Sequence, residues 1–260
     1  MPEVLDIGDG SQDSLLCRVS AGVYVGWGEA VCSPLVGLSA WITPLSHSGC
    51  HPVIDSVLGA ELNDPSDIAK VYQSVRKNSF YGLLQSDLLI SGIEIAMWDC
   101  LGRAKSEPIW RLLGYEKSYP KLPYASVLFG DTAQETKQKA VAMKQAGFKA
   151  VKFGWGPFGT TTVQADAEHI FAARDGIGDD GYLMIDAGTV FKEDVEAAAA
   201  RLPALHEANV YWYEEPFDGY AISSYAQLSA RTPKVALAGG EGAHNAYQGK
   251  QLIDDGKAST

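Results

Sequence analysis

Tyr182-Leu-Met-Ile-Asp186 is a short apolar run that ends on an acid. Two more follow it, Tyr211-Trp-Tyr-Glu214-Glu215-Pro216 and Leu237-Ala-Gly-Gly-Glu241. Each run has the length of a buried strand. The acids Asp186, Glu214 and Glu241 stand 28 and 27 residues apart, about the length of a strand, a crossover helix and two short loops. Three successive parallel strands would then each present one carboxylate at the carboxyl end. In a barrel those ends converge on one face. Three converging carboxylates cannot all stay ionised without a cation, because like charges raise one another's pKa. Oxygen-only ligands with room for water favour Mg²⁺. The runs therefore predict a Mg²⁺ site held by Asp186, Glu214 and Glu241 on a (β/α) barrel.

Around these runs the chain alternates strand and helix from Leu122 onward. Strands are expected at Tyr124 to Leu128, Lys149 to Gly154, Tyr182 to Asp186, Val210 to Tyr213 and Val235 to Ala238. Helices are expected over Ala133 to Gln145, Thr162 to Ile177, Glu193 to Ala208, Ile222 to Ser229 and Asn245 to Asp255. That makes five βα units, whereas a full barrel has eight and typically about 250 residues. Five parallel strands also suit an open doubly wound sheet. The barrel reading leaves the barrel incomplete where the sequence stops, at the place a sixth strand is due.

Residues 1–118 read differently and are assigned to a separate α+β domain, with 119–260 as the partial barrel. Two alternating runs, Leu15 to Val19 and Val23 to Gly28, flank Ser20-Ala21-Gly22 and predict a β-hairpin. Ile68, Val71, Tyr72 and Val75 share one helical face, and Ile90, Ile93, Ala96, Met97 and Leu101 form a second stripe. Trp27, Trp98 and Trp212 are expected in the core.

Totals narrow the function. A net charge of −11 argues against nucleic acid or an anionic membrane as partner. Cys17, Cys32, Cys50 and Cys100 form no C-x-x-C pair and read as reduced thiols in a cytoplasmic protein. No secretory signal opens the sequence. The most apolar stretch, Leu88 to Leu101, is too short to span a bilayer.

Taken together, Gly26-Trp-Gly-Glu-Ala30, Gly92-Ile93 through Ala96-Met-Trp-Asp99, Gly147-Phe-Lys-Ala-Val-Lys152, Met184-Ile-Asp-Ala187, Glu214-Glu-Pro216 and Gly239-Gly-Glu241 resemble the enolase superfamily. Within it they resemble the mandelate racemase-like group (mandelate racemase and muconate lactonizing enzyme) and its acid-sugar dehydratases. The resemblance runs along almost the whole chain. It implies an N-terminal capping domain, a barrel, Mg²⁺ on Asp186, Glu214 and Glu241, and a small-molecule sugar-acid substrate. It also implies abstraction of the proton α to the substrate carboxylate, with the charge stabilised as an enediolate. Lys152 then falls at the first lysine of the family's Lys-x-Lys motif, where it polarises the carboxylate. His244, three residues past Glu241, is a candidate substrate contact. A homo-oligomer is allowed but not specified.

Two departures shape the expectation. The second lysine position is Gly154, which cannot take a proton, so two-base racemisation is disfavoured and one-base dehydration favoured. The remaining base in this group is typically a histidine on the seventh strand, paired with an aspartate on the sixth. Both positions lie beyond Thr260, and the family's first strand lies before Met1, so the sequence reads as truncated and the chain alone as inactive. The alternatives are a racemase, epimerase or cycloisomerase of the same superfamily, an inactive fragment or pseudoenzyme, and a dinucleotide-binding oxidoreductase. The last rests on Gly154-Trp-Gly-Pro-Phe-Gly159, which matches G-x-G-x-x-G after a strand but lacks an acid at the required distance.

Overall fold

The computed structural model describes residues 14–45, 51–79 and 87–259. Cys50, read above as a reduced thiol, lies outside them. The chain divides between Tyr119 and Pro120 into two compact units.

In the first unit, β1 (Leu15–Ala21) and β2 (Tyr24–Ala30) pair antiparallel from Leu15↔Ala30 to Ala21↔Tyr24, as the alternating pattern predicts. Gly22 takes φ +59° at the first position of the two-residue turn, where an L side chain would be strained. Among the described residues α1 (Pro34–Ile42), α2 (Val53–Val57), α3 (Pro65–Ser79) and α4 (Asp87–Lys105) follow, and the short α5 (Ile109–Leu112) comes last in the unit. Ile68, Val71 and Val75 of α3 pack with Leu89, Ile90, Ile93, Met97 and Leu101 of α4 in one buried cluster.

The hairpin lies directly on α4, and glycine makes that possible. A Cβ on Gly26 would stand 2.1 Å from the Ala96 carbonyl oxygen, and one on Gly28 2.1 Å from that of Gly92. The amide of Trp27, between them, donates to Asp99 Oδ2 at 2.9 Å. The Gly-Trp-Gly and Trp-Asp motifs are thus two sides of one strand-on-helix contact. Trp27 itself points outward and is 52% exposed, not in the core as expected.

The second unit carries five βα units. Its strands are β3 (Ala125–Leu128), β4 (Ala150–Gly154), β5 (Tyr182–Asp186), β6 (Trp212–Glu214) and β7 (Ala236–Ala238). Helices α6 (Ala133–Gln145) and α7 (Val163–Ile177) follow β3 and β4. Where one helix is expected after β5 there are two, α8 (Val195–Ala199) and α9 (Leu202–Glu207). Pro203 has no amide to continue the ladder, so the helix breaks before it. Helices α10 (Ile222–Ser229) and α11 (Ala246–Asp254) complete the unit.

All four strand pairings are parallel, in the order β3-β4-β5-β6-β7. A doubly wound sheet reverses its strand order at a switch point; this one never does. Of the two architectures left open by the sequence, the structure has the sheet of an incomplete TIM-type barrel, and the first unit is the N-terminal capping domain. Val151, Phe153, Leu183, Ile185, Tyr213 and Leu237 belong to the second unit's core cluster and are all but inaccessible. Residues of the other parity line the opposite face. No helix among the described residues is long and apolar enough to cross a membrane. Cys17, Cys32 and Cys100 are free thiols.

Two expectations follow for stability. Gly28→Ala forces β2 off α4 and should cost about 1–3 kcal/mol in urea unfolding, the usual range for overpacking. His169 on α7 is buried against Phe129, with Nδ1 2.8 Å from Thr136 Oγ1. Burial lowers its pKa below the ordinary 6.5, so the unfolded chain takes up a proton that the folded chain refuses. Stability is then fully present above about pH 6.5 and declines as pH falls below it. The loss between pH 7 and 5.5 should shrink in His169→Asn.

Candidate active site

The strand register brings the chemistry together. Leu128, Gly154, Asp186, Glu214 and Ala238 pair in turn across the sheet at its carboxyl end. One pleat below, Ser126, Lys152, Met184, Trp212 and Ala236 form a second row. Asp186 and Glu214 are therefore neighbours on one face, as the spacing of the runs predicts.

Lys152 reaches up between them. Its ammonium donates to Asp186 Oδ2 at 2.9 Å and to Glu214 Oε1 at 2.6 Å. The other oxygens are held by the protein: Asp186 Oδ1 accepts from the Gly188 amide at 2.9 Å, and Glu214 Oε2 from the Trp212 indole at 2.8 Å. Trp212 is thus a partner of the acid row and not the core residue expected. Burial alone would depress the Lys152 pKa, but the bonds to Glu214 and Asp186 outweigh it and raise it above the ordinary lysine value. A lysine so held keeps its proton and serves as a charged hydrogen-bond donor. The Tyr124 ring lies 5.8 Å from the same ammonium and adds a cation–π contact.

Glu241 departs from the pattern. Strand β7 ends at Ala238, opposite Glu214, so Glu241 stands three residues further on in a turn with its side chain exposed. Gly239 and Gly240 form that turn, with Gly240 at φ +117°. The strand ends at Ala238, where the sequence pattern places its end, and two glycines separate it from the acid. Among the described residues no group of three or more His, Cys, Asp or Glu side chains is close enough to hold a metal ion. The structure thus joins Asp186, Glu214 and Lys152, and sets Glu241 on the adjacent loop. His244 is exposed in the same loop, and its amide donates to Gln248 Oε1. Asn245 caps α11 through the amides of Tyr247 and Gln248.

The donor set suits a hard divalent cation. It is all oxygen, lies on a rigid sheet, and already accepts one positive centre between two carboxylates. Gly154 stands in the same row for a steric reason: a Cβ there would lie 2.8 Å from Asp186 Cβ. Trp155 follows at φ +58°, exposed, with its ring over Gly188. The loop is no phosphate cradle. Its Gly159 amide donates to Asp166 Oδ1 at 3.0 Å, and Asp166 is in turn bound by Arg201, so an internal carboxylate already fills the start of α7.

Sequence reasoning missed Trp212, Gly188 and Trp155. Alternation at β6 was a usable signal for Trp212, since it shares a face with Glu214. A left-handed tryptophan has no sequence signal.

Residues 10–114 match the Mandelate racemase / muconate lactonizing enzyme N-terminal domain, and residues 135–260 match the Enolase C-terminal domain-like family. A solved structure described as a predicted mandelate racemase from Rhodobacter sphaeroides is 55% identical, with a TM-score of 0.88 over 99% of this chain and 66% of that one. The N-succinyl-L-Arg/Lys racemase of Bacillus cereus is 25% identical over 88% of this chain and 58% of its own length. The L-talarate/galactarate dehydratase of Salmonella typhimurium is 30% identical over 77% of this chain and 49% of its own. Cycloisomerases also stand among the relatives. The chain belongs to the enolase superfamily, in its mandelate racemase-like group. It spans about half to three fifths of the length of those curated relatives.

Lys152→Met would leave two adjacent, largely buried carboxylates without their cation. In chelator this variant should lose about 3–5 kcal/mol of unfolding free energy, as for a broken buried pair. A loss below about 1 kcal/mol, the range of exposed pairs, would contradict the geometry.

Proposed function

We propose that this chain carries the cap and the metal-binding strands of a Mg²⁺-dependent acid-sugar dehydratase, acting on an aldonate or aldarate. The observation that carries the reading is the row Gly154–Asp186–Glu214 with one lysine bonded to both acids. In this reading Asp186, Glu214 and Glu241 hold Mg²⁺, with Glu241 turning in from its exposed position. When bound, the metal neutralises the substrate carboxylate and makes the α proton acidic. The protein's own contribution is positional and electrostatic. Asp186 and Glu214 are pre-aimed by Gly188 and Trp212, so little reorganisation is needed. Lys152, kept protonated, donates to the carboxylate oxygen on which charge develops.

Loss of the α proton and of the β hydroxyl as water gives an enol, which tautomerises to the 2-keto-3-deoxy acid. Gly154 supports dehydration over two-base racemisation, since it offers no proton acceptor on its face of the substrate. The packing of Gly154 on Asp186 also means that a lysine introduced there would displace a ligand before it could act as a base. The dehydratases among the relatives support the reading, while the racemases and cycloisomerases mark the alternatives. The free thiols support a cytoplasmic setting.

The test is a screen of sugar acids with the natively expressed polypeptide, with and without Mg²⁺. The expected result is Mg²⁺-dependent 2-keto-3-deoxy acid and no α-epimer; efficient epimer formation would overturn it. Asp186→Asn should weaken Mg²⁺ binding at least about tenfold by calorimetry. Undiminished affinity would remove the metal assignment.

A further inference from the structure

Glu215 follows the acid row but does not belong to it. Its side chain is buried and turns away from Lys152 toward the next loop. There Oε1 accepts two successive amides, Gly240 at 3.2 Å and Glu241 at 3.0 Å. Consecutive N–H groups converging on one oxygen form a small anion nest, here filled from within the chain. The backbone of Glu215 is pinned on both sides as well. Its amide donates to the Ala238 carbonyl at 2.9 Å, and its carbonyl accepts from Thr189 at 2.7 Å. It sits at φ +40°, a left-handed conformation that costs a non-glycine residue about 1–3 kcal/mol and persists only where the surroundings enforce it.

These bonds reach every loop that carries a proposed ligand. Thr189 is in the loop after Asp186, Glu215 is joined to Glu214, and Gly240 and Glu241 form the turn after β7. That turn needs an outside support. Gly239 and Gly240 have no side chains to lock it, and the exposed Glu241 carboxylate meets no hydrogen-bond or ion-pair partner among the described residues. The carboxylate of Glu215 supplies the missing anchor by binding the turn at its backbone.

We propose that Glu215 is a positioning residue for Glu241. It does not touch the metal. It fixes the backbone of the 239–241 turn and so sets the point from which Glu241 swings toward Asp186 and Glu214. Only the metal-affinity part of this inference rests on the reading of Glu241 as a ligand; the anchoring of the turn does not.

Amide hydrogen exchange on the full chain, free of metal, tests the anchoring. In the wild-type protein, Gly240 and Glu241 should exchange at least about tenfold more slowly than neighbouring Gly242, although all three lie in an accessible turn. Glu215→Ala should bring them to the Gly242 rate while Leu183 and Ile185 in β5 stay protected. Glu215→Gln keeps an acceptor oxygen and should retain most of the protection. Equal rates at Gly240, Glu241 and Gly242 in the wild type would overturn the proposal without any variant. Unchanged protection in Glu215→Ala would do the same.

Calorimetric Mg²⁺ titration is the second readout. Glu215→Ala should weaken binding about tenfold, within the range for residues that orient metal ligands, and Glu215→Gln should weaken it less. If the wild type binds no Mg²⁺ while the exchange pattern holds, the metal reading fails and the anchoring role stands. If the wild type binds Mg²⁺ and Glu215→Ala binds it equally well, the positioning of Glu241 fails.

Discussion

Two carboxylates on adjacent strands in matching register are a problem that the rest of this sheet answers. Parallel strands lie about 4.8 Å apart, so Asp186 and Glu214 meet on one face with little water between them. Two like charges so close repel each other unless a positive charge stands between them. Lys152 supplies it from the neighbouring strand, one pleat lower, where its stem is buried and its ammonium rises between the two acids. This arrangement needs β4, β5 and β6 in consecutive order. It also needs a residue without a side chain at 154, where Asp186 leans against the backbone. Trp212 and Gly188 then take the remaining oxygens, so each acid is held at both ends.

Much of this was legible in the sequence because strands and crossover helices have characteristic lengths. The even spacing of Asp186, Glu214 and Glu241 reported the βα period, and the period reported parallel strands. Spacing counts residues, however, and says nothing of where a strand stops. Glu214 and Glu241 are 27 residues apart, close to the previous interval, yet one ends its strand and the other lies in a turn beyond it. The same limit applies to Glu193–Ala208, an unbroken helical pattern by composition that Pro203 divides in two. Trp212 was assigned to the core as a large aromatic. Its parity with Glu214 says otherwise, and parity is the better guide within a strand.

Similar strings serve different ends in the two halves of the chain. In Gly26-Trp-Gly28 the glycines let a strand lie against a helix, and the tryptophan between them turns outward. In Gly154-Trp-Gly156 the first glycine makes room for an acid, and the tryptophan adopts a left-handed backbone to cover the next loop. The G-x-G-x-x-G pattern that continues from there is a by-product of these demands. Asp166 gives the physical contradiction, since a carboxylate bound to the loop amide leaves no vacancy for a phosphate.

The unbroken strand order has a consequence for how this unit acquires its structure. Each strand from β3 to β7 hydrogen-bonds only to the strands immediately before and after it in the chain. Every pairing therefore closes a loop of similar, modest length, and the entropy lost per closure stays nearly constant along the sheet. None of these pairings waits on a distant segment. Such a sheet can assemble in the direction of synthesis, one βα unit at a time, each new strand templated by the last. The acid row would then be completed late, when β6 arrives beside β5 and the lysine already in place on β4 meets its second carboxylate.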